Sequence, residues 1–415
     1  MRPRPYATSM YIGTVMAVFS ASACTETTAT PVERIPTFHE DVAPILAANC
    51  ATCHSTGSIA PFPLLTYDDA RAHASAIRTS TASRSMPPFI LNNDGSCNTY
   101  KEARWLTDAQ IRTLERWVEA GTPEGDATKG IPIVAPPLPQ LERVDKTLDM
   151  GTDYTPDASI FDDYRCFLID PQLAADTFIT GFNVRPGAVQ MLHHLTLFSI
   201  DTEAAEQAAE ALDAAEPGPG YSCIDNLRID DTRWLVGSGP GSGALTFPKG
   251  TGLRMRAGRK TLLQIHYNQE NGLFPDRTQI DMMLERTVDK EAAVRRLADT
   301  DLSLPPKQKS VDETDMVIVP QPVTLWGLWP HMHKLGVSLR VTNTRNDQES
   351  CVAYSDRYNF HWQGFAHYTK PVHVVPGDQL RITCTYDTLG RDDVTTWGQG
   401  TKDEMCIAFF YMTDD

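Results

Sequence analysis

Positive charge is what this sequence has too little of. Its 37 Lys and Arg face 53 Asp and Glu, for a formal net charge of -16. A nucleic-acid binder needs a basic face to displace counterions from phosphates, so no nucleic-acid partner is expected. Long hydrophobic runs are lacking as well. The apolar stretch Tyr11 to Ala23 is too short to span a bilayer permanently. With Arg2 and Arg4 before it and Cys24 after it, the stretch reads as an export signal.

The tetrapeptide ASAC resembles a bacterial lipoprotein processing site, which would make Cys24 a lipidated first residue. Ala21 stands where leucine is most common, and cleavage after Ala23 without lipid is the alternative. The expected location is the periplasm or, through a lipid anchor at Cys24, the outer membrane of a Gram-negative bacterium. Secretion is the other option.

A chain of 415 residues is too long for one ordinary core and should divide into several domains. Nine cysteines sort by role. Cys24 is the candidate anchor, and Cys50 and Cys53 belong to a motif. Cys97, Cys166, Cys223, Cys351, Cys384 and Cys406 remain, enough for three disulfides in an exported protein. Their spacing alone leaves the connectivity open.

The motif is CATCH, Cys50 to His54. In C-x-x-C-H two thiols add to the haem vinyl groups and the histidine ligates the iron. Phe38, Val42, Ile45 and Leu46 predict a helix before it, with Pro44 restricting or kinking its start. Thr66 and Asp69 can cap a helix through Arg78. Thr107 and Gln110 form a capping box for a helix that buries Ile111, Leu114, Trp117 and Val118 and ends at Gly121. Met86, in RSMPPFI, is the expected sixth iron ligand, with His73 the runner-up. The arrangement resembles class I c-type cytochromes, which implies an all-α domain with covalent haem c.

Past a proline-rich connector the texture changes to short β-branched or aromatic runs such as FITGFNV, LLQIHY, LRITCTY and CIAFFYM. Such runs, separated by Pro, Gly, Asn and Asp, predict β-sandwiches. Residues 202–216, rich in Ala and Glu, are the helical exception. The expected organisation is signal 1–24, tether 25–34, cytochrome domain 35–125, linker 126–145, and two all-β, jelly-roll-like copper domains at 146–286 and 287–415.

Histidine patterns in that half carry the chemistry. His331 and His333, in LWGLWPHMHKLGV, sit two apart on an expected strand and so share a face. His193 and His194 are adjacent in MLHHLTLF, and His266 lies in LLQIHYNQ. On a regular strand His193 and His194 would point to opposite faces, so one metal can hold both only if the backbone is irregular there. Met405 lies in DEMC. Imidazoles with one thioether suit copper, because sulfur favours Cu(I) and histidine tolerates both oxidation states. His361, His367 and His373 fit no motif and are taken as structural or surface residues.

In combination these motifs resemble the type II copper, ascorbate-dependent monooxygenases from about Tyr154 onward. The resemblance implies an electron-transfer copper on His193, His194 and His266 and an oxygen-activating copper on His331, His333 and Met405. It implies two β-sandwiches facing each other across a solvent-filled cleft. It also pairs Cys384 with Cys406 and Cys166 with Cys223; a bridge between the remaining Cys97 and Cys351 would tie the cytochrome to the copper domains. Where peptide-specific members hold a substrate carboxylate, this chain has Trp329, Ile407 and Phe409. An apolar or aromatic small substrate is therefore expected.

The implied activity is hydroxylation of a C–H bond with O2, using two copper ions. A periplasmic donor would supply electrons through haem c, in place of ascorbate or beside it. Gln264 is the candidate to orient a copper ligand. Two other readings are an electron-transfer or copper-carrying protein without substrate, and a copper-free β-sandwich module that docks a cytochrome.

Overall fold

The computed structural model describes residues 34–415 except 59, 161, 225, 240–242 and 270–271. The expected signal, Cys24 and all of the tether but Arg34 lie outside the described residues. No helix among those described is long and apolar enough to cross a membrane.

The first part is helical. A π-turn at Phe38–Val42 runs into α1, Ala43–Asn49, with Pro44 in the first two positions, where a missing N–H costs nothing. Thr66 closes a capping box with Asp69 at the start of α2, Tyr67–Ala72. The predicted single helix through Arg78 breaks at His73, and α3 covers Ala74–Ala82. Thr107 and Gln110 cap α4, Asp108–Glu119, which stops just before Gly121 at φ +82°. Phe38, Leu46, Leu64, Ile77, Leu114 and Trp117 form one core. Trp117 is fully buried and its Nε1 donates to the Pro123 carbonyl, so Trp117→Ala should cost about 3–5 kcal/mol.

The β part has twenty strands among the described residues. Its first half holds β1 (Lys146–Asp149), β2 (Asp162–Ile169), β3 (Thr177–Arg185), β4 (Leu192–Ile200), β5 (Tyr221–Ser222), β6 (Thr232–Ser238), β7 (Leu245–Thr246), β8 (Thr251–Met255), β9 (Thr261–Asn268) and β10 (Gln279–Glu285). The second holds β11 (Lys290–Asp299), β12 (Ser303–Leu304), β13 (Val311–Ile318), β14 (Val323–His331), β15 (Gly336–Arg345), β16 (Gln348–Ser355), β17 (Ala366–Val374), β18 (Gln379–Tyr386), β19 (Thr395–Thr396) and β20 (Cys406–Asp414). Between β4 and β5, α5 (Glu203–Ala215) is capped by Thr202 and buries only Ala205 and Ala209.

One sheet runs β1-β10-β3-β8-β11-β20-β14-β17, with β7 on the flank of β3. Its first strands share a core with the five-stranded sheet β5-β2-β9-β4-β6, built on Ile179, Leu195, Leu263 and Ile280. Its last strands share another with β13-β18-β15-β16, built on Leu325, Leu328, Val341 and Ile382. The two sandwiches expected on either side of Arg286 are thus joined. Parallel pairing of Lys290–Ala292 with Thr251–Leu253 carries the sheet across the boundary, and Tyr411 of β20 reaches back into the first core.

Among the described residues three disulfides are present: Cys97–Cys351, Cys166–Cys223 and Cys384–Cys406. The first fixes a segment whose packing departs from the domain limits read off the sequence. Ile90, Leu91 and Tyr100 are buried in the core of the second sandwich. Asn92 N donates to Tyr354 O, Lys101 N to His367 O and Thr369 N to Thr99 O, each at 2.8 Å. Residues 90–101 therefore pack with the β domain, although the helices on either side pack together.

Candidate metal centres and haem-attachment cavity

The first histidine group rests on neighbouring strands of the five-stranded sheet. The β4–β9 register shifts between Leu192 and His194, which makes His193 the extra residue of a bulge. That irregularity turns both adjacent imidazoles toward His266, and one ligand atom from each of the three lies within 4.8 Å of the others. The Nδ1 atoms of His193 and His194 are 3.2 Å apart. His266 bonds Asp162 Oδ1 through Nε2 at 2.9 Å, leaving Nδ1 buried without a partner. Tyr164 stacks on the His266 ring at 4.1 Å.

Desolvation, reinforced by the other imidazoles, pushes His193 and His194 well below the usual histidine range. His266 is also lowered by burial, against the pull of Asp162. Burial raises the Asp162 carboxyl, but its bonds from His266 and Thr401 prevail and hold it down at about 2. Three neutral imidazoles and a fixed tautomer are what a metal site requires before the ion arrives.

The second group closes the end of β14. His331 is the last residue of that strand, and His333 lies just beyond it rather than on it. Their rings are 5.3 Å apart at 90°. His331 Nδ1 is bonded to Gln363 Oε1 at 2.5 Å, and the Gln363 amide is itself held by donating to Phe360 O. His333 Nδ1 donates to Asp403 O at 3.0 Å. Both imidazoles keep Nε2 for a ligand. Burial pushes His331 down to about 3 and His333 to about 4. His331 pairs with Ile407 across β14 and β20, and the buried Met405 stands two residues before Ile407, just ahead of β20.

Glu404 braces this corner. Its fully buried carboxylate accepts from His333 N at 2.8 Å and Leu335 N at 2.6 Å. Burial pushes it up to about 7 in spite of those bonds.

The two groups meet. His194 and His331 lie 6.0 Å apart between ring centroids, and Phe360 stacks on His193 at 4.4 Å while its ring is 5.9 Å from His333. Ring contact here replaces the solvent-filled cleft expected from sequence resemblance. Gln264 departs from expectation too. Among the described residues it donates to Cys223 O at 3.4 Å and to no histidine: it shares a strand face with His266, but residues two apart on a strand stand about 7 Å from each other. Asp162 does what was expected of it.

Asp162, Gln363, Phe360 and Glu404 were not singled out from the sequence. Only Glu404, directly before Met405, carried a local signal. Of the three histidines without a motif, exposed His361 lies 6.4 Å from the His193 ring. His367 is buried with Nε2 unpartnered, and His373 bonds Thr324 Oγ1 at 2.9 Å.

A separate cavity of about 320 Å³ is lined by Cys50, Cys53, His54, Phe62, Met86 and Trp362. Cys50 and Cys53 are unbridged, and burial pushes the Cys50 thiol up to about 12. His54 Nδ1 bonds Phe62 O at 3.0 Å, which leaves Nε2 for a metal. Met86 is on the wall; His73, stacked on Phe62 at 3.7 Å, is not among the lining residues. Two thiols, one oriented imidazole and one thioether around an apolar space fit a covalently attached haem.

Comparison with known proteins bears on the β-rich half. Residues 299–413 match the family described as copper type II ascorbate-dependent monooxygenase, C-terminal domain. The tyramine beta-hydroxylase of Caenorhabditis briggsae is 25% identical over 338 residues, 75% of this chain and 54% of that protein. The dopamine beta-hydroxylase of Canis lupus familiaris is 25% identical over 189 residues, 41% of this chain and 30% of that protein. DBH-like monooxygenase protein 2 of Mus musculus is 40% identical over 82 residues, 20% of this chain and 13% of that protein. The chain spans about half the length of the tyramine beta-hydroxylase it matches. The likeness to copper type II ascorbate-dependent monooxygenases thus lies over residues 299–413 and over the stretches matched by these relatives.

Proposed function

We propose that this chain is an exported copper monooxygenase that hydroxylates a C–H bond of an apolar or aromatic small molecule with O2, drawing electrons through a covalently attached haem c. The observation that carries the reading is the pairing of two histidine groups, neutral and pre-oriented, at 6.0 Å from His194 to His331. Two copper ions would supply one electron each and the site of oxygen reduction.

The chain's own groups do the remaining work. His193, His194 and His266 would hold one ion, with Asp162 fixing the His266 tautomer. His331 and His333 would hold the other through Nε2, because Gln363 and Asp403 occupy their Nδ1 atoms. Met405 would supply the soft ligand that keeps that ion reducible. Trp329 and Phe409 are paired on β14 and β20, and Trp234 packs 5.8 Å from Trp329 and 4.3 Å from Phe409. This aromatic wall beside His331 favours an apolar substrate and offers no cation for a carboxylate. Cys50 and Cys53 would carry the haem, with His54 and Met86 as its axial ligands.

Three disulfides favour an oxidising compartment, in keeping with export, and a lipid on Cys24 would anchor the protein to a membrane. The short gap between the two groups also suits a second reading, an electron carrier with no substrate. The deciding experiment is reduction under nitrogen, addition of O2 with candidate apolar compounds, and mass spectrometry of products. A hydroxylated product that disappears in Met405→Ile supports the monooxygenase; O2 uptake without any product supports the carrier.

A further inference from the structure

Five consecutive residues, Asn359 to Gln363, touch every centre described above. Phe360 stacks on His193 at 4.4 Å, and Gln363 holds the Nδ1 of His331. Between them, Trp362 lines the cavity that contains Cys50, Cys53, His54 and Met86. Two peptide units cannot separate the Cα atoms of Trp362 and Phe360 by more than about 7 Å. The wall of the haem cavity and the three-histidine group are therefore a few side chains apart, although Cys53 and His193 are far apart in sequence.

The segment is also held in place. Trp362 N donates to Asn359 O at 3.0 Å, His361 N to Asn359 Oδ1 at 2.9 Å and Gln363 Nε2 to Phe360 O at 2.9 Å. On its outer side Gly239 lies so close that a Cβ there would come within 2.3 Å of the Gln363 carbonyl. The Cys97–Cys351 bridge and the backbone bonds of residues 92, 99 and 101 end on β16 and β17, strands that carry none of the five candidate ligand histidines.

We infer that this segment is the electron path between haem and copper. Trp362 would be its entry from the haem edge, and Phe360 with His361 its exit to the copper held by His193. The inference rests on the haem and copper reading proposed above. In each transfer the iron goes from ferrous to ferric and one cupric ion becomes cuprous. No bond is made or broken, and two transfers, with a one-electron periplasmic donor reducing the haem again between them, provide the two electrons that one hydroxylation consumes. A tryptophan suits the entry because its large π system shortens the gap an electron must cross.

The test uses the full-length protein carrying haem and copper, without O2. A flash-generated one-electron reductant reduces the haem, and its reoxidation is followed in the visible band together with loss of the cupric EPR signal. Trp362→Leu should slow that phase several-fold, Trp362→Phe less, and Phe360→Leu should slow it from the other end. Haem absorbance, haem content and the EPR spectrum of the oxidised protein should stay as in the wild type. A wild-type rate in Trp362→Leu with both centres intact overturns the path and leaves the haem and copper reading standing. Wild-type protein that carries no haem, or whose reduced haem never passes an electron to copper, overturns that reading and the path with it.

Discussion

His194 and His331, from different sheets and 137 positions apart by subtraction of their numbers, face each other at 6.0 Å with their rings at 77°. Metal ions held on either side of that contact would be close enough to interact magnetically. EPR of the protein loaded with two cupric ions should show dipolar broadening that vanishes in His194→Ala. A spectrum equal to the sum of two isolated cupric sites would contradict this contact.

Asp162→Ala removes the acceptor that keeps the His266 proton on Nε2. Changes at such partners cost about 10–100-fold in metal affinity. Copper titration should show that loss at the three-histidine site, while Gln264→Ala, whose side chain reaches only Cys223, should bind copper like the wild type. The reverse ranking would restore Gln264 to the role read from its sequence position.

Met86→Ala should change the haem spectrum to that of an iron lacking its sulfur ligand, whereas His73→Ala should leave it unchanged. Met86 is on the cavity wall and His73 is stacked away behind Phe62. The visible and near-infrared spectra of the oxidised proteins decide between them.

Removal of the Cys97–Cys351 bridge, which closes a loop of 254 residues, should cost about 2–5 kcal/mol. Calorimetry of the double Cys97→Ser, Cys351→Ser variant measures that cost. Limited proteolysis should cut first between residues 90 and 101, because this stretch then depends on a few backbone bonds and the burial of Ile90, Leu91 and Tyr100.

Asp378 gives a pH dependence. Its buried carboxylate takes two bonds from Arg345, at 2.8 and 2.6 Å, one from Asn343 and one from Val375 N. Arg345 foremost holds it far below the usual carboxylate range. A depressed folded-state pKa stabilises above the unfolded value, about 3.9, and the contribution fades as pH falls toward the folded value. Asp378→Asn should lose about 1–3 kcal/mol at neutral pH, a modest figure because Arg345 is half exposed. In denaturant titrations across pH, the gap from the wild type should close below pH of about 4.

The chemistry of this protein was legible where it is local. CATCH, the histidine pairs and the capping boxes at Thr66 and Thr107 declare themselves within a few residues, because side-chain type and spacing fix them. Alternating apolar runs such as LRITCTY likewise became β18. Other features lie outside any local pattern. β11 has the composition of a helix, KEAAVRRLAD, and is a strand because β8 and β20 pair with it on either side. His193 and His194 turn to one side together only because the register slips at β9. Asp162, Gln363 and Phe360 acquire roles from partners far away in the chain. The sequence by itself determined which side chains are on hand to bind a metal or a haem. Tertiary structure alone decided that the two histidine groups touch and that Trp362 borders the cavity lined by Cys50, Cys53 and His54, since pairing and packing between distant segments follow from the burial of whole faces.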